Sequence, residues 1–309
     1  MASRRGDACG AAEHSPIAPV RENLLKPNCR RIVSFLAFTF RDTAALSMAS
    51  VSFVIPSLNQ ARYLRRCLDS CLGQQLDDFE VIVRDGESTD GSVDILKEYD
   101  DRISWVSRKD GGQAAAVNSG IAAASKEIIA WINSDDYYAT SRVLRQVVEA
   151  FDNNPELDIV YGAGELVDDR GTVLTPFPSR PLSHVKTILL HPVSFVLQPC
   201  VFFRRTLFLE VGGLQDNLHW ALDYDLWLRL FPAARQVEYI PRVLACGTVH
   251  ADAKSVYGML PQFRETWQLK RHYAPRFNLT PFDRCRLYYG HAKNHLYYLA
   301  VKSGLKKVT

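Results

Sequence analysis

The sequence predicts an α/β fold: a mainly parallel mixed sheet flanked by helices, followed by a helical tail. Two observations carry this. From Val51 to about residue 162, short apolar runs alternate with segments of helical periodicity, the rhythm of strands joined by crossover helices. Polar, acid-rich clusters close several of those runs, and open parallel sheets bind ligands outside the carboxyl ends of their strands.

The elements follow in order. Val51–Pro56 is a short apolar run, after which Tyr63, Leu64, Leu68, Cys71 and Leu72 recur at helical spacing. Phe79–Arg84 is a second strand, and Ser92–Tyr99 a short helix opened by the Asp90-Gly91 turn. Ile103–Val106, Ile128–Ile132 and Leu157–Gly162 read as further strands, separated by helices at Gln113–Ala124 and Arg142–Phe151. Beyond residue 164 the rhythm changes. Asp168-Asp169-Arg170-Gly171 is a hairpin turn, a Pro-rich loop follows, and a helix is predicted near Ser183–Leu190. Gln198–Phe203 and Val243–Val249 read as strands, Asp223–Phe231 as an amphipathic helix, and the tail as two helices separated around Pro281.

Three stretches differ in charge. Residues 1–48 hold seven Lys/Arg and four Asp/Glu, residues 49–261 hold 20 against 28, and residues 262–309 hold ten against two. The carboxylate-rich middle suits a metal and polar ligands, and the basic, aromatic tail suits an anionic surface or substrate. Residues 1–48 lack sustained periodicity and read as a poorly ordered extension, with Met48 a candidate natural start. Ile32–Phe40 is too short for a span of roughly 20 apolar residues and lacks a cleavage site, so neither a membrane span nor a secretory signal is read. The seven Cys are scattered without C-x-x-C spacing and read as buried small hydrophobes of a reducing cytoplasm.

Polar clusters close three runs: Ile55-Pro56-Ser57-Leu58-Asn59, Asp85-Gly86-Glu87-Ser88-Thr89-Asp90-Gly91, and Asn133-Ser134-Asp135-Asp136. Acids delivered by buried strands need a cation or donors. Turn chemistry alone is the alternative for any one cluster.

These segments, with Asp110-Gly111-Gly112-Gln113, Asn118-x-Gly120, Gln198-Pro199, Val211-Gly212-Gly213 and Leu222-Asp223-Tyr224-Asp225-Leu226-Trp227, resemble the family 2 glycosyltransferases in order over roughly 200 residues. The resemblance implies a GT-A fold over residues 49–261, with residues 262–309 as the tail. It implies an inverting transfer from a nucleoside diphosphate sugar, UDP-type favoured, to a hydroxyl acceptor that can be lipid-linked, in cell-surface polysaccharide synthesis. Pro56, Ser57, Asn59, Asp85, Gly112, Asn118 and Asn133 then bind the nucleotide, Asp135 and His250 hold Mg²⁺ or Mn²⁺, and Asp223 is the general base. Such a cation offsets charge on the departing diphosphate, and a carboxylate lets a poorly nucleophilic alcohol attack. Asp85 and Asp136 have turn or loop caps as alternatives, His250 a structural role, and Asp223 a helix start.

Three positions depart from the family pattern: Glu87 stands where Gly is usual, Asn133 replaces the first acid of Asp-x-Asp, and Leu222 replaces an acid beside the base. The last two keep a non-catalytic nucleotide-sugar binder open as an alternative. Nucleotidyl transfer on a related sheet is the other alternative, although Ser57–Gln60 is not a Gly-rich phosphate loop. No nucleic-acid motif is present. The tail is a candidate for peripheral contact at the cytoplasmic face of a membrane, or its helices pack on the catalytic domain.

Overall fold

The computed structural model describes residues 49–251, 253 and 259–302. The predicted extension and the candidate start at Met48 lie outside the described residues. Nine strands form one sheet among these residues, in the order β3-β2-β1-β4-β8-β6-β9-β5, with β7 on β6.

The amino-terminal half is the parallel part. β1 (Val51–Ser57) is buried along its whole length between β2 (Phe79–Asp85) and β4 (Ile128–Trp131), and β3 (Ser104–Ser107) pairs with β2. Register places Ser57 opposite Asp85 and Asp85 opposite Ser107, so three polar residues form one row across the strand tips. α1 (Ala61–Leu72) buries Tyr63, Leu64, Cys67, Leu68 and Cys71 as the periodicity predicts. Each buried Leu contributes about 1.5–3 kcal/mol relative to exposure. α2 (Ser92–Glu98), α3 (Gln113–Ala123) and α4 (Val143–Asn153) complete the crossovers. Gly120 lets α3 lie close on β1, because a Cβ there would stand 2.4 Å from Val54 Cγ1.

The second half mixes directions. After the two-residue β5 (Tyr137–Tyr138), β6 (Leu157–Val167) runs well past the predicted strand and turns into β7 (Val173–Pro176) at the expected hairpin. The predicted helix near 183–190 is α5 (Lys186–Leu190), and β8 (Val201–Arg204) follows a 3₁₀ turn over Gln198–Cys200. β8 lies antiparallel between β4 and β6. A helix absent from the sequence reading, α6 (Arg205–Glu210), precedes α7 (Leu222–Ala233). β9 (Gln236–Thr248) runs parallel to β6, and β5 pairs antiparallel with its end, Tyr137 opposite Cys246. That small pairing carries the residues before β5 to those after β9.

Two apolar layers cover the sheet. Phe53, Ile55, Leu64, Leu68, Val147 and Phe151 fill one, and Val54, Trp131, Phe203, Trp227 and Phe231 belong to the other. α7 corrects the sequence reading of an amphipathic helix. Leu222, Tyr224, Asp225, Leu226, Trp227, Leu228, Leu230 and Phe231 are all buried, because the tail covers the side that would otherwise meet water.

The tail is a helix pair, α8 (Met259–Tyr273) and α9 (Pro281–Lys302), joined through a short 3₁₀ turn. Leu269, Tyr273 and Leu287 enter the same core as Trp227. Not every tail cation faces water. Lys270 is buried, donates to the His191 carbonyl at 2.6 Å, and is pushed by burial down to about 8. Cys67, Cys71, Cys200 and Cys246 are buried free thiols, whereas Cys285 is exposed. None of the described helices is long and apolar enough to cross a membrane.

Candidate active site

The row at the strand tips begins with Ser57, whose buried hydroxyl has no partner among the described residues. Pro56, also buried, precedes it on β1. Asp85 is 1% exposed. Its carboxylate accepts from the Ser88 hydroxyl (2.5 Å), the Ser88 amide (2.9 Å) and the Ser107 hydroxyl (2.7 Å). The turn-cap role is therefore present, and three donors leave room at a carboxylate that has about four acceptor sites. Asn59 takes φ +52, and its side-chain oxygen accepts from the Thr89 amide at 2.9 Å. Asp90 accepts from the Ala61 amide and from Ser92, lacing the loop after β2 to the start of α1. Glu87 takes φ +68, a left-handed conformation. That explains the family's usual Gly at this position.

A cavity of about 380 Å³ opens beside Asp85, lined also by Arg84, Arg108, Lys109, Asp110 and Gly111. Gly112, at φ +101, leads from it into α3, and its amide donates to Asp110 at 2.7 Å. Asn133 accepts from the Gln113 side chain at 2.8 Å. Asn118 is engaged within the fold. Its amide nitrogen donates to the Leu214 carbonyl and its oxygen accepts from the Leu214 amide, both at 2.9 Å. Both ends of the side chain clamp α3 to the loop leading to α7, because a primary amide matches a backbone peptide as well as it matches a nucleotide.

Asp135 and His250, far apart in sequence, meet with 3.1 Å between Oδ2 and Nε2. The β5–β9 pairing brings them together. The Thr248 hydroxyl donates to the Asp135 carbonyl at 2.5 Å, and the Thr248 amide donates to Asp136 at 2.9 Å. Asp136 thus takes its loop-cap role. Burial, with the neighbouring Asp135 charge, holds its carboxyl well above the usual range. His250 is 9% exposed and packs against the tilted Tyr63 ring, and its Nδ1 is a buried atom without a partner among the described residues. Sequence reasoning missed Tyr63 and Thr248 as supports, since neither belongs to a motif.

The two side chains fit a divalent cation as a minimal pair: one hard oxygen and one imidazole nitrogen, close enough to serve one ion. Among the described residues no cluster of three or more His, Cys, Asp or Glu could hold a metal. Diphosphate oxygens and water would have to complete the coordination.

Asp223 stands in the first turn of α7. One carboxylate oxygen accepts from the Tyr224 amide at 2.8 Å, and burial raises its carboxyl to about 6. The side chain keeps part of its surface open. Leu222 is buried in the core, so an acid there would lose hydration. Asp225 stabilises the segment: it pairs with Arg229 at 2.5 Å and accepts from the Tyr273 hydroxyl at 2.9 Å.

One residue escaped sequence reading altogether. The Glu265 carboxylate on α8 accepts from the backbone amides of His219 (3.1 Å), Trp220 (2.6 Å) and Ala221 (2.6 Å). It fixes the approach to Asp223 from the tail side, as Asn118 does from α3. Glu265→Ala is expected to strand these amides, costing about 2–3 kcal/mol and raising their hydrogen exchange at least about tenfold. Glu265→Gln keeps one acceptor and should fall between. Unchanged exchange at 219–221 would remove the clamp.

The strand tips of this α/β sheet thus carry a polar row around Asp85, a cavity and an Asp–His pair. The family model for glycosyl transferase family 2 matches residues 52–212, and the chain belongs to that family. An uncharacterised glycosyltransferase of Rickettsia felis is 29% identical over 213 residues, covering 66% of this chain and 35% of that protein. The chain thus spans about a third of that relative. One from Rickettsia typhi is 31% identical over 221 residues, covering 70% of this chain and 68% of that protein. Chondroitin synthase of Pasteurella multocida is 26% identical, over 75% of this chain and 24% of that enzyme. Among solved structures, S. aureus TarS 1-349 with UDP-GlcNAc gives a TM-score of 0.63 at 18% identity, covering 84% of this chain and 76% of that one. The mannosyltransferase PcManGT from Pyrobaculum calidifontis, with GDP-Man and Mn2+, gives 0.58 at 18% identity, covering 81% and 71%. The shared architecture is the GT-A fold.

Proposed function

We propose that this glycosyltransferase moves a sugar from a nucleoside diphosphate sugar, UDP-type, to a hydroxyl acceptor with inversion at the anomeric carbon, in the synthesis of a cell-surface polysaccharide. The observation that carries the reading is the Asp135–His250 pair at the strand tips, 3.1 Å apart. TarS binds UDP-GlcNAc and PcManGT binds GDP-Man and Mn2+, which supports a nucleotide-sugar donor with a divalent cation. The likeness to chondroitin synthase supports polysaccharide as the product.

In this reading the uracil edge donates a ring N–H to Asp85, and Arg84, Arg108 and Lys109 supply a positive field. Asp135 and His250 would hold Mg²⁺ or Mn²⁺, and the ion would supply charge that offsets that of the departing diphosphate. The acceptor oxygen attacks the anomeric carbon, the bond from that carbon to the diphosphate oxygen breaks, and the hydroxyl proton passes to Asp223. The Asp223 oxygen not engaged by Tyr224 takes it. Calorimetric titration tests the donor assignment: UDP should bind at least about tenfold more tightly than GDP. Tighter binding of GDP would remove the uracil reading.

The Asp223 pKa of about 6 sets the sign of the pH dependence. The base works only when ionised, so turnover should fall about tenfold per unit below pH 6 and level off above it. Stability runs the other way. A carboxyl raised above its unfolded value contributes stability that is complete below about 3.8 and lost as pH rises through about 6. A rate flat from pH 5 to about 7 would contradict the assignment.

A further inference from the structure

We propose that the outer face of α9 is a docking surface for an anionic lipid bilayer. Phe282, Tyr289 and Leu296 recur at intervals of seven residues and are 76%, 72% and 67% exposed. Arg286 and Lys293 lie between them on the same stripe and are also exposed. Tyr288 and Leu299 flank it, each about half exposed. The opposite side of α9 is committed to the domain. Leu287 enters the core, Gly290 approaches Pro192, and Asn294 donates to the Pro192 carbonyl at 2.7 Å. The helix is therefore seated in a fixed rotation, with its apolar and cationic stripe turned to water.

The charge of this face selects the occupant. Residues 262–309 contain two acids, Glu265 and Asp283, and both are spent internally. Glu265 is taken up by the three backbone amides. Asp283 is buried and paired with Lys186 at 2.9 Å, which holds its carboxyl down at about 2. The helix pair thus presents cations outward with no carboxylate of its own beside them. A second copy of the same face would oppose like charges, which disfavours self-association. Aliphatic Leu296 and Leu299 with large aromatics suit the acyl–headgroup boundary, where an apolar stripe sinks in while Lys and Arg reach headgroup phosphates. A stripe of this size left in water is otherwise costly in solubility. The inference is independent of the substrate.

The test is co-sedimentation of the full chain with phosphatidylcholine vesicles, plain or containing about a third phosphatidylglycerol. Binding should require the anionic lipid and weaken on raising salt. The double variant Arg286→Gln/Lys293→Gln should lose roughly thirtyfold in partitioning, at about fivefold per cation. Phe282→Ser/Leu296→Ser should lose at least about tenfold. These side chains project from the fold, and circular dichroism checks that the variants stay folded. Binding unaffected by either double variant would place membrane contact elsewhere in the chain and overturn the proposal. So would no binding at all, or a dimer in sedimentation velocity that the variants dissolve. Equal, variant-sensitive binding to polyuridylate would make the face a nucleic-acid surface and likewise overturn it.

Discussion

Replacing Asp223 by Asn is expected to lower turnover with the native acceptor by about 10²–10⁴-fold while the fold gains stability. The rate loss follows from removing general-base assistance, on the order of 3–5 kcal/mol of barrier. The gain follows from burial. An aspartate raised from 3.8 to about 6 is ionised at neutral pH against its environment, and a neutral amide of the same shape escapes that cost. After allowance for solvent around a partly open side chain, about 1–2 kcal/mol is expected. Asn serves a helix start about as well as Asp. Opposite signs in activity and stability are what a group held in place for function, at the expense of the fold, produces. Nucleotide and metal affinity should hardly move, because α7 lies outside the β1–β4 tips. Nucleoside diphosphate release and urea denaturation measure the two effects. Turnover within about threefold of the parent, or a loss of stability, would return Asp223 to a capping role.

Asp135→Ala carries the second large effect. It removes the hard oxygen of the Asp135–His250 pair and leaves an imidazole alone. Enhancement of UDP binding by Mn²⁺ should disappear, and turnover should fall by about 10³-fold, since a cation on the leaving group supplies several kcal/mol. The fold should survive. The Thr248 hydroxyl bonds the Asp135 carbonyl rather than its side chain, and Asp136 keeps its own hold on Thr248. His250→Ala should act in the same direction more weakly, about 10–100-fold, with Tyr63 losing a ring contact. Titration with UDP, with Mn²⁺ and with chelator distinguishes the cases. Equal affinity in all three conditions would exclude Asp135.

Local periodicity made the amino-terminal half legible. β1 is buried throughout and α1 buries one face, so pattern and structure coincide from Val51 to Trp131. Pairings between distant segments were not legible. β8 enters antiparallel between β4 and β6, and β9 runs beside β6 for almost its whole length. Such registers depend on which edges remain free after the parallel half closes. The Asp135–His250 contact rests on a two-residue strand too short to show periodicity. Family motifs nevertheless put both residues forward. The contacts that the sequence did not show have chemical causes. Asn118 sits in a motif, yet it bonds a peptide group of the neighbouring loop. Glu265 satisfies backbone amides, which have no side-chain identity and so leave no sequence signature. α7 carries Asp223, Asp225 and Arg229 and reads as half polar, whereas Asp225 and Arg229 neutralise each other inside.

Diffraction from crystals of the chain grown with UDP and Mn²⁺, recorded where manganese scatters anomalously, tests the central claim most directly. The account predicts one peak within coordination distance of an Asp135 carboxylate oxygen and His250 Nε2, with the nucleotide diphosphate completing the ligand set. Manganese bound to neither residue, or UDP seated in the same crystal without manganese, would contradict it.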